Sequence, residues 1–460
     1  MVFSSLLFLF LFLPAVLLAY YSSPQRARNW ILFIASLVFY AWGEPIYIVL
    51  MLFSTATDYL FGLSLDRPNR TARSRKLTLA ASIMTNLALL GFFKYADFII
   101  ANLNAIAGTN IPPTDLPLPI GISFYTFQSM SYIIDVYRGN TKAQRSWLDF
   151  ATYVSLFPQL VAGPIVQYGT VANQLKNRVI NHAMFAEGVR RFIIGLAKKV
   201  LLANNIGMLW DTVVTAQSGP LPALTAWIGI VAFAFQIYFD FSGYSDMAIG
   251  LGLMFGFRFN ENFNKPYTAQ SITDFWRRWH ISLSSWFRDY VYIPLGGNRK
   301  GLLLQLRNIM IVWALTGIWH GASWNFVLWG LYFGLILIAE KMFMLRLLAR
   351  TPRWMRHCYA LLLVLLGWVL FAFESTSEIG AYLSAMIGMN SASLWDGQTI
   401  YLLYTNAVLL VILVLMSLPK GMIIRSVPQS LAFVGHAVLL LLSIAYLVDA
   451  TFNPFLYFRF

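Results

Sequence analysis

A single ionisable imidazole, His320, lies at the break between two long apolar segments, 302–319 and 323–341. Each segment is long enough to cross a bilayer, and the Gly-Ala-Ser sequence after the break can turn the chain between them. A histidine at membrane depth is costly unless it has a partner or a water-filled cavity, and such residues are functional by default. Because imidazole exchanges protons near neutral pH, His320 is a candidate general base. The alternative is a histidine that only joins two helices through a hydrogen bond.

In the helix predicted before His320, three residues lie on the same face as the histidine. They are Trp313, Thr316 and Gly317, which precede it by seven, four and three residues. Gly317 places no side chain beside the imidazole. It therefore leaves room either for a substrate or for a closely packed helix.

A second candidate is the run 271–290, whose residues segregate at helical period. The apolar stripe consists of Trp276, Trp279, Leu283, Trp286, Phe287 and Tyr290, and the polar face of Asp274, Arg277, Arg278, Ser284, Ser285 and Arg288, with Ile281 as its apolar exception. This pattern predicts a basic amphipathic helix in the headgroup zone. Two interpretations stay open: an interfacial anchor, or a helix whose arginines bind an anionic donor such as a phosphate-bearing acyl carrier. His280, on the border of the faces, is a candidate second functional histidine.

Polar side chains also follow one face of two apolar segments. They are Gln236, Asp240, Gly243 and Tyr244 in segment 223–246, and Gln128, Ser131, Tyr132 and Asp135 in segment 119–137. Carboxylates in hydrocarbon are rare and face the interior of a helix bundle. These residues either line a cavity leading to His320 or only bond neighbouring helices.

The elements that must position these residues are membrane helices. The chain has 460 residues, 58% of them hydrophobic and 11% charged, against about 25% charged in soluble domains. About twelve apolar runs of spanning length predict an all-α, polytopic bundle over 1–460. The first run, 3–21, lacks a basic n-region and a cleavage site, so we expect a retained span. No nucleotide-binding loop, metal-ligand spacing or nucleic-acid-binding module occurs, and one cysteine permits no disulfide.

The net charge of +14 orients the bundle, since Lys and Arg collect on cytoplasmic loops. Loops Arg67–Lys76 and Arg346–Arg356 are predicted to be cytoplasmic, and the linker 375–400, without Lys or Arg, lies outside. Twelve crossings would place both termini outside. Segment 150–166 carries two prolines and a glycine between basic flanks, which predicts a re-entrant segment that enters and leaves on the cytoplasmic side.

At these residues the chain resembles the membrane-bound O-acyltransferase superfamily and, within it, the bacterial alginate O-acetyltransferase subfamily. The matching pieces occur in order over about residues 1–340: 1–5, 94–95, 119–128, 157–165, 239–246, 264–267, 276–280 and 319–321. The resemblance implies a single-domain multi-helix bundle with a tunnel through a thin membrane centre and a catalytic core at about 90–340. The signature histidine of the family falls on His320, and a second, commonly polar position falls on His280.

The resemblance also implies acyl transfer in the bacterial inner membrane. An acetyl group would leave a cytoplasmic thioester, acetyl-CoA or another, and reach a periplasmic acceptor, without a tightly bound cofactor. Expected partners are membrane lipid, periplasmic SGNH-type acetyltransferases and a cytoplasmic acyl carrier, and no nucleic acid. Less sequence follows the hairpin than in alginate relatives, so acetylation of cellulose or peptidoglycan, and D-alanyl transfer to teichoic acid, stay open beside alginate.

An acyl thioester is already activated, so transfer needs a positioned hydroxyl and a base to take its proton. His320 suits that base, and His280 is the second catalytic candidate. An orienting carboxylate for His320 must come from the fold, with Asp240 as the candidate. Our candidate donor- and substrate-binding residues are Trp276, Arg277, Arg278, Trp279, Asp240, Tyr244, Gln128 and Asn325. The competing class is a proton-coupled or glycolipid transporter, which a bundle with buried Asp and His residues also suits.

Overall fold

The computed structural model describes residues 1–215, 220–389, 393–419 and 428–449, and in these ranges the chain forms helices and no strand. The all-α prediction is confirmed. The first ten α-helices are α1 Leu13–Ser22, α2 Arg28–Ala41, α3 Ile48–Leu65, α4 Ala72–Ala107, α5 Ile122–Arg138, α6 Trp147–Ser155, α7 Phe157–Leu160, α8 Tyr168–Lys176, α9 His182–Ala197 and α10 Asn204–Thr215. The others are α11 Ala223–Met254, α12 Ile272–Arg278, α13 Ile281–Phe287, α14 Leu302–His320, α15 Trp324–Ala339, α16 Leu345–Ala349, α17 Arg353–Ala372, α18 Thr376–Met386, α19 Gly397–Ser417 and α20 Gln429–Asp449.

Nine helices in the described ranges are long and apolar enough to cross a membrane. They are α3, α4, the continuous helix His182–Thr215, α11, α14, the continuous helix Trp324–Ala349, α17, α19 and α20. Three further predicted spans correspond to shorter helices: Phe8–Ser22, the 14-residue α2 and the 17-residue α5. The protein is thus a multi-pass integral membrane protein, and the count of twelve crossings stays a prediction.

The chain divides into two compact units. Unit 1 consists of residues 1–193 and 244–260, and unit 2 of 194–243 and everything after 260. In unit 1, α5 packs against α3 and α4, and α2 packs against α6. The predicted single domain over 1–460 stays a prediction.

The broken segment 150–166 lies in unit 1 and is buried throughout. Helix α6 ends at Ser155, α7 begins two residues later, and the amide of Phe157 donates to the hydroxyl of Ser36 at 3.0 Å. Gly121 has φ +77°, and a Cβ there would lie 2.8 Å from the carbonyl oxygen of Leu160. The irregular backbone is therefore covered by protein, as such backbone must be at membrane depth. Its re-entrant path stays a prediction.

Helices α14 and α15 form a closely packed hairpin in unit 2. A Cβ on Gly317 would meet the carbonyl oxygen of Phe326, and a Cβ on Gly330 would meet that of Trp313 at 2.5 Å. The two glycines thus let the backbones approach closely, as small residues do between membrane helices. Of the two uses predicted for Gly317, the structure shows the close helix.

Candidate active site

The run 271–290 forms two short helices rather than one, so the predicted continuous amphipathic helix is wrong. Helix α12 ends at Arg278, α13 begins at Ile281, and His280 between them has φ +43°, a left-handed conformation that is uncommon outside glycine. Two backbone hydrogen bonds of 2.9 Å hold the break: Ile281 N–H donates to the carbonyl of Asn262, and Asn264 N–H donates to that of Arg278. These contacts, distant in sequence, satisfy the backbone groups that a continuous helix would have used.

The carboxylate of Glu340 fixes the beginning of α12. It accepts hydrogen bonds from the amides of Ile272 at 2.7 Å and Thr273 at 2.8 Å, and from the Thr273 hydroxyl at 2.6 Å. A negative charge at a helix N-terminus satisfies free N–H groups and interacts favourably with the helix dipole. Glu340 follows α15, so it ties α12 to the histidine hairpin.

The apolar stripe of this region packs inside unit 2. Trp279 stacks on Phe275 with ring centroids 5.6 Å apart and contacts Trp368 at 4.9 Å. Leu283, Trp286, Phe287 and Tyr290 are buried as well. The apolar side chains of the stripe therefore pack in the protein core. The expectation that they lie against lipid is wrong.

His280 is buried, and its tautomer follows from its neighbours. Its Nδ1 lies 3.1 Å from Oδ1 of Asn262, and the same oxygen accepts from the amide of Ser282 at 3.2 Å. Because a backbone amide can only donate, this atom of Asn262 must be the acceptor, and Nδ1 of His280 carries the proton. Burial lowers the pKa of His280 to about 3. His280 is therefore neutral at pH 7, with its lone pair on Nε2.

His320 ends α14 in an aromatic surrounding. Its ring lies 4.9 Å from the ring of Trp329 and 5.3 Å from that of Phe371. Trp319 connects the two histidines, with its ring centroid 5.0 Å from His320 and 6.1 Å from His280. His280 and His320, which are 40 residues apart in sequence, thus both contact the indole ring of Trp319.

Both imidazoles line a cavity of about 360 Å³ in unit 2, here named the histidine cavity. Its buried end holds His280 and His320, and Thr316, Trp276, Trp279 and Trp313 form part of its wall. Its exposed end holds the cations Arg277, Arg288 and Lys341. An anionic group at the exposed end and proton transfer at the buried end are what this arrangement suits.

The cations of the histidine cavity differ in their partners. Arg288 is held by the carboxylate of Asp289 through bonds of 2.7 and 3.1 Å. Within the described ranges, Arg277 and Lys341 form no hydrogen bond or ion pair with the protein. Arg278 instead pairs with Asp274 at 2.8 Å, and it does not line the cavity. The structure thus separates the two arginines that the sequence grouped.

Asp240 and Asn325, two further candidates, do not line the histidine cavity. Asp240 forms a buried ion pair with Lys199 at 2.6 Å. Asn325 is fully buried and donates from Nδ2 to the carbonyl of Leu370 at 3.3 Å. Both side chains bond neighbouring helices, which was the other interpretation of the buried polar residues.

Tyr244 and Gln128 belong to unit 1. The Tyr244 ring stacks on Phe3 at 4.7 Å, and its hydroxyl bonds the backbone of Ala162. Gln128 donates from Nε2 to the carbonyl of Tyr153 at 3.2 Å. These two contacts again join segments of the fold.

The sequence analysis did not identify three residues of the site, namely Asn262, Glu340 and Lys341. Asn262 lies two residues before the family motif 264–267, and its closeness to that motif was a usable signal. Glu340 and Lys341 stand at the end of an apolar segment, where charged residues are ordinarily explained by the membrane boundary. Nothing local distinguishes them.

A model of the membrane-bound O-acyltransferase family matches residues 142–377, a range that contains the whole histidine cavity. The chain belongs to this family. It is 46% identical over 400 residues to a probable alginate O-acetylase of Azotobacter vinelandii, covering 86% of this chain and 80% of the relative. A peptidoglycan O-acetyltransferase of Helicobacter pylori is 36% identical, with 86% of this chain and 81% of the relative covered. A teichoic acid D-alanyltransferase of Bacillus subtilis is 29% identical over 50% of this chain and 61% of the relative.

The sequence left two classes open, an acyltransferase and a transporter, and membership of this family identifies the acyltransferase. The protein is a membrane-bound O-acyltransferase, and the predicted resemblance is confirmed over most of the chain.

Proposed function

We propose that this acyltransferase passes an acetyl group from a cytoplasmic thioester across the membrane for O-acetylation of an exopolysaccharide, with alginate as the polymer. The observation that carries the proposal is the histidine cavity, which joins exposed cations to two buried imidazoles. The probable alginate O-acetylase relatives, matched over most of their length, support the choice of polymer.

The donor enters at the cationic end in this proposal. Acetyl-CoA or another phosphate-bearing thioester would place its phosphates at Arg277 and Lys341, whose charges are uncompensated by described protein groups. The acetyl group then extends toward His280 and His320. No tightly bound cofactor is required, because the thioester is already activated.

The two histidines take different roles. A hydroxyl oxygen forms the new C–O bond at the thioester carbonyl, the C–S bond breaks, and the proton of the hydroxyl leaves through a base to the departing sulfur. A group with a pKa of about 3 holds such a proton poorly, so His320 is the base. Nε2 of neutral His280 carries the lone pair of the ring, and in this scheme it accepts a hydrogen bond that orients the reacting hydroxyl or thiol.

Location and partners follow from the same scheme. The enzyme would lie in the bacterial inner membrane, receive acyl groups from CoA or an acyl carrier, and deliver them through a tunnel. Periplasmic SGNH-type acetyltransferases would complete transfer to the polymer. The peptidoglycan O-acetyltransferase relative makes peptidoglycan the second candidate acceptor.

One experiment tests the acceptor. The chain, or its His320→Ala variant, is expressed in an alginate-producing host lacking its own membrane acetyltransferase, and acetyl esters are quantified on purified alginate and on peptidoglycan. We expect esters on alginate with the wild type and none with the variant. Esters on peptidoglycan alone would replace alginate by the second candidate, and ester levels unaffected by His320→Ala would refute the proposed chemistry.

A further inference from the structure

A second cluster of cations belongs to unit 1, which contributes no residue to the lining of the histidine cavity. Two guanidinium groups lie over the ring of Tyr20, with Cζ of Arg28 at 5.1 Å and Cζ of Arg178 at 5.7 Å from the ring centroid. Arg178 also lies 4.9 Å from the ring centroid of Phe257. Tyr20 itself is fully buried, and its hydroxyl donates to the carbonyl of Phe255 at 2.7 Å. The platform under the two charges is therefore fixed.

The two positive charges have no counter-ion within 4 Å in the described ranges. Asp149, a carboxylate that acts electrostatically on Arg178, accepts a hydrogen bond from Asn29 at 2.7 Å, and Arg178 donates to the side-chain oxygen of the same Asn29. Arg28 Nε and Arg178 Nη1 are buried with no acceptor among the described protein atoms. Burial lowers the pKa of Arg178, and the charge of Arg28 lowers it further, against the opposing effects of Tyr20 and Asp149. Two guanidiniums held together in this way favour an added anion.

The sequence also predicts the side of the membrane on which the cluster lies. Arg28 follows the apolar segment Phe8–Ser22, Arg178 follows α8, and Phe257 follows α11, and the charge pattern predicts that all three chain segments are cytoplasmic. Their contact in unit 1 agrees with that pattern. Arginines just beyond an apolar segment, beside tyrosines, lie where the headgroups of anionic lipids are found.

We propose that Arg28 and Arg178 bind the phosphate of an anionic phospholipid headgroup at the cytoplasmic face of unit 1. Guanidinium groups bind phosphate oxygens through paired, charge-assisted hydrogen bonds. A bound phosphate would neutralise the mutual repulsion of the two arginines. It would thereby stabilise the contact of the three segments. The proposal is independent of the acceptor polymer.

The test measures thermal unfolding of the full chain in neutral detergent with added phosphatidylglycerol or phosphatidylcholine of the same acyl chains. Phosphatidylglycerol should raise the Tm of the wild type by roughly 2 °C or more over phosphatidylcholine, and less at high salt. The Arg28→Gln/Arg178→Gln variant should lose this difference. The matched control Arg26→Gln/Lys176→Gln removes the same charge from exposed neighbours and should keep it.

Two results would overturn the site. One is an equal Tm of the wild type in the two lipids, which counts even if the double variant does not fold. The other is an equal loss in the variant and its control, which would show a diffuse attraction of charge. Inorganic phosphate added without lipid distinguishes a lipid headgroup from free phosphate as the ligand. A rise in Tm of the same size would assign the site to soluble phosphate, and an unchanged Tm assigns it to the headgroup.

Discussion

Two histidines in one cavity differ because their neighbours differ. His280 donates to Asn262 and is buried, which keeps it neutral, whereas His320 lies among Trp319, Trp329 and Phe371. At the scale of single residues, this difference in surroundings is the basis for the different roles proposed for the two histidines.

Replacement of His320 by alanine tests the base. We expect acyl transfer by purified protein to fall about 10²–10⁴-fold, as for loss of a general base, while the amount and Tm of the protein stay unchanged. His436→Ala, in α20 and outside the histidine cavity, is the control and should retain activity. Near-normal turnover by a folded His320→Ala protein would remove the histidine from the mechanism.

Replacement of Asn262 by aspartate tests the tautomer of His280. A carboxylate at the position of Oδ1, 3.1 Å from Nδ1 of His280, favours the imidazolium and raises the pKa of His280 from about 3. Below the raised pKa, Nε2 is protonated and cannot accept a hydrogen bond. Activity should therefore fall on the acidic side of the pH–rate profile in Asn262→Asp, where the wild-type His280 stays neutral. Asn262→Ala should lose activity without this new pH dependence, and identical profiles for all three proteins would contradict the assignment.

At the scale of elements, α12 and the α14–α15 hairpin position the chemistry. Glu340 fixes the N-terminus of α12, and the break at His280 turns its C-terminal residues toward the histidine cavity. Two predictions concern these elements.

The first separates the arginines of α12. Arg277→Gln should raise the KM for the thioester donor and reduce its salt dependence, because Arg277 lines the exposed end of the histidine cavity. Arg278→Gln removes the partly exposed pair with Asp274, worth at most about 1 kcal/mol, and a hydrogen bond to the carbonyl of Asn264, and it should leave KM unchanged. Donor titrations at two salt concentrations compare the variants. Equal effects of the two would show that the arginines act together, as the sequence suggested.

The second concerns the close contact of the hairpin. In Gly317→Ala the new methyl group meets the carbonyl oxygen of Phe326, so the helices must separate, at a cost of about 1–3 kcal/mol. Gly91→Ala in α4 is the matched control, since nothing lies within 4 Å of its new methyl group. Thermal unfolding in detergent should show a lowered Tm for the first variant and an equal or higher Tm for the control. A Tm unchanged by Gly317→Ala would mean that the hairpin is looser than described.

At the scale of the whole molecule, acyl transfer across a membrane depends on orientation. The charge pattern predicts cytoplasmic loops at 67–76 and 346–356 and an outside linker at 375–400. The described part of that linker includes α18.

Single cysteines in a Cys358→Ser background test this orientation with an impermeant thiol reagent in whole cells. The structure identifies exposed positions, so Ser377→Cys should label, and Ala72→Cys, Asn177→Cys and Arg353→Cys should not. Labelling at 177 would show that segment 150–166 crosses the membrane. Labelling at 72 would invert the orientation and place the proposed donor entrance on the acceptor side.

Local patterns determined much of this protein. Hydropathy averaged over one segment located α14, α15, α17, α19 and α20, because a membrane helix satisfies its own backbone and only its own residues decide its insertion. The ordered motifs, read residue by residue, identified the family and singled out His320 and His280.

The tertiary structure alone decided how those residues are used. Helical periodicity predicted one helix through 271–290, but backbone bonds from Asn262 and Asn264 stabilise a left-handed His280 that no local propensity favours. The same fold pairs Asp240 with Lys199 and places Arg277 in the lining of the histidine cavity. Periodicity places side chains on a face of their own helix, whereas the partner across that face comes from a segment 18 to 68 residues distant. Examples are Asn262 for His280, Lys199 for Asp240 and Glu340 for the amide of Ile272. Such pairings are fixed only when the chain packs.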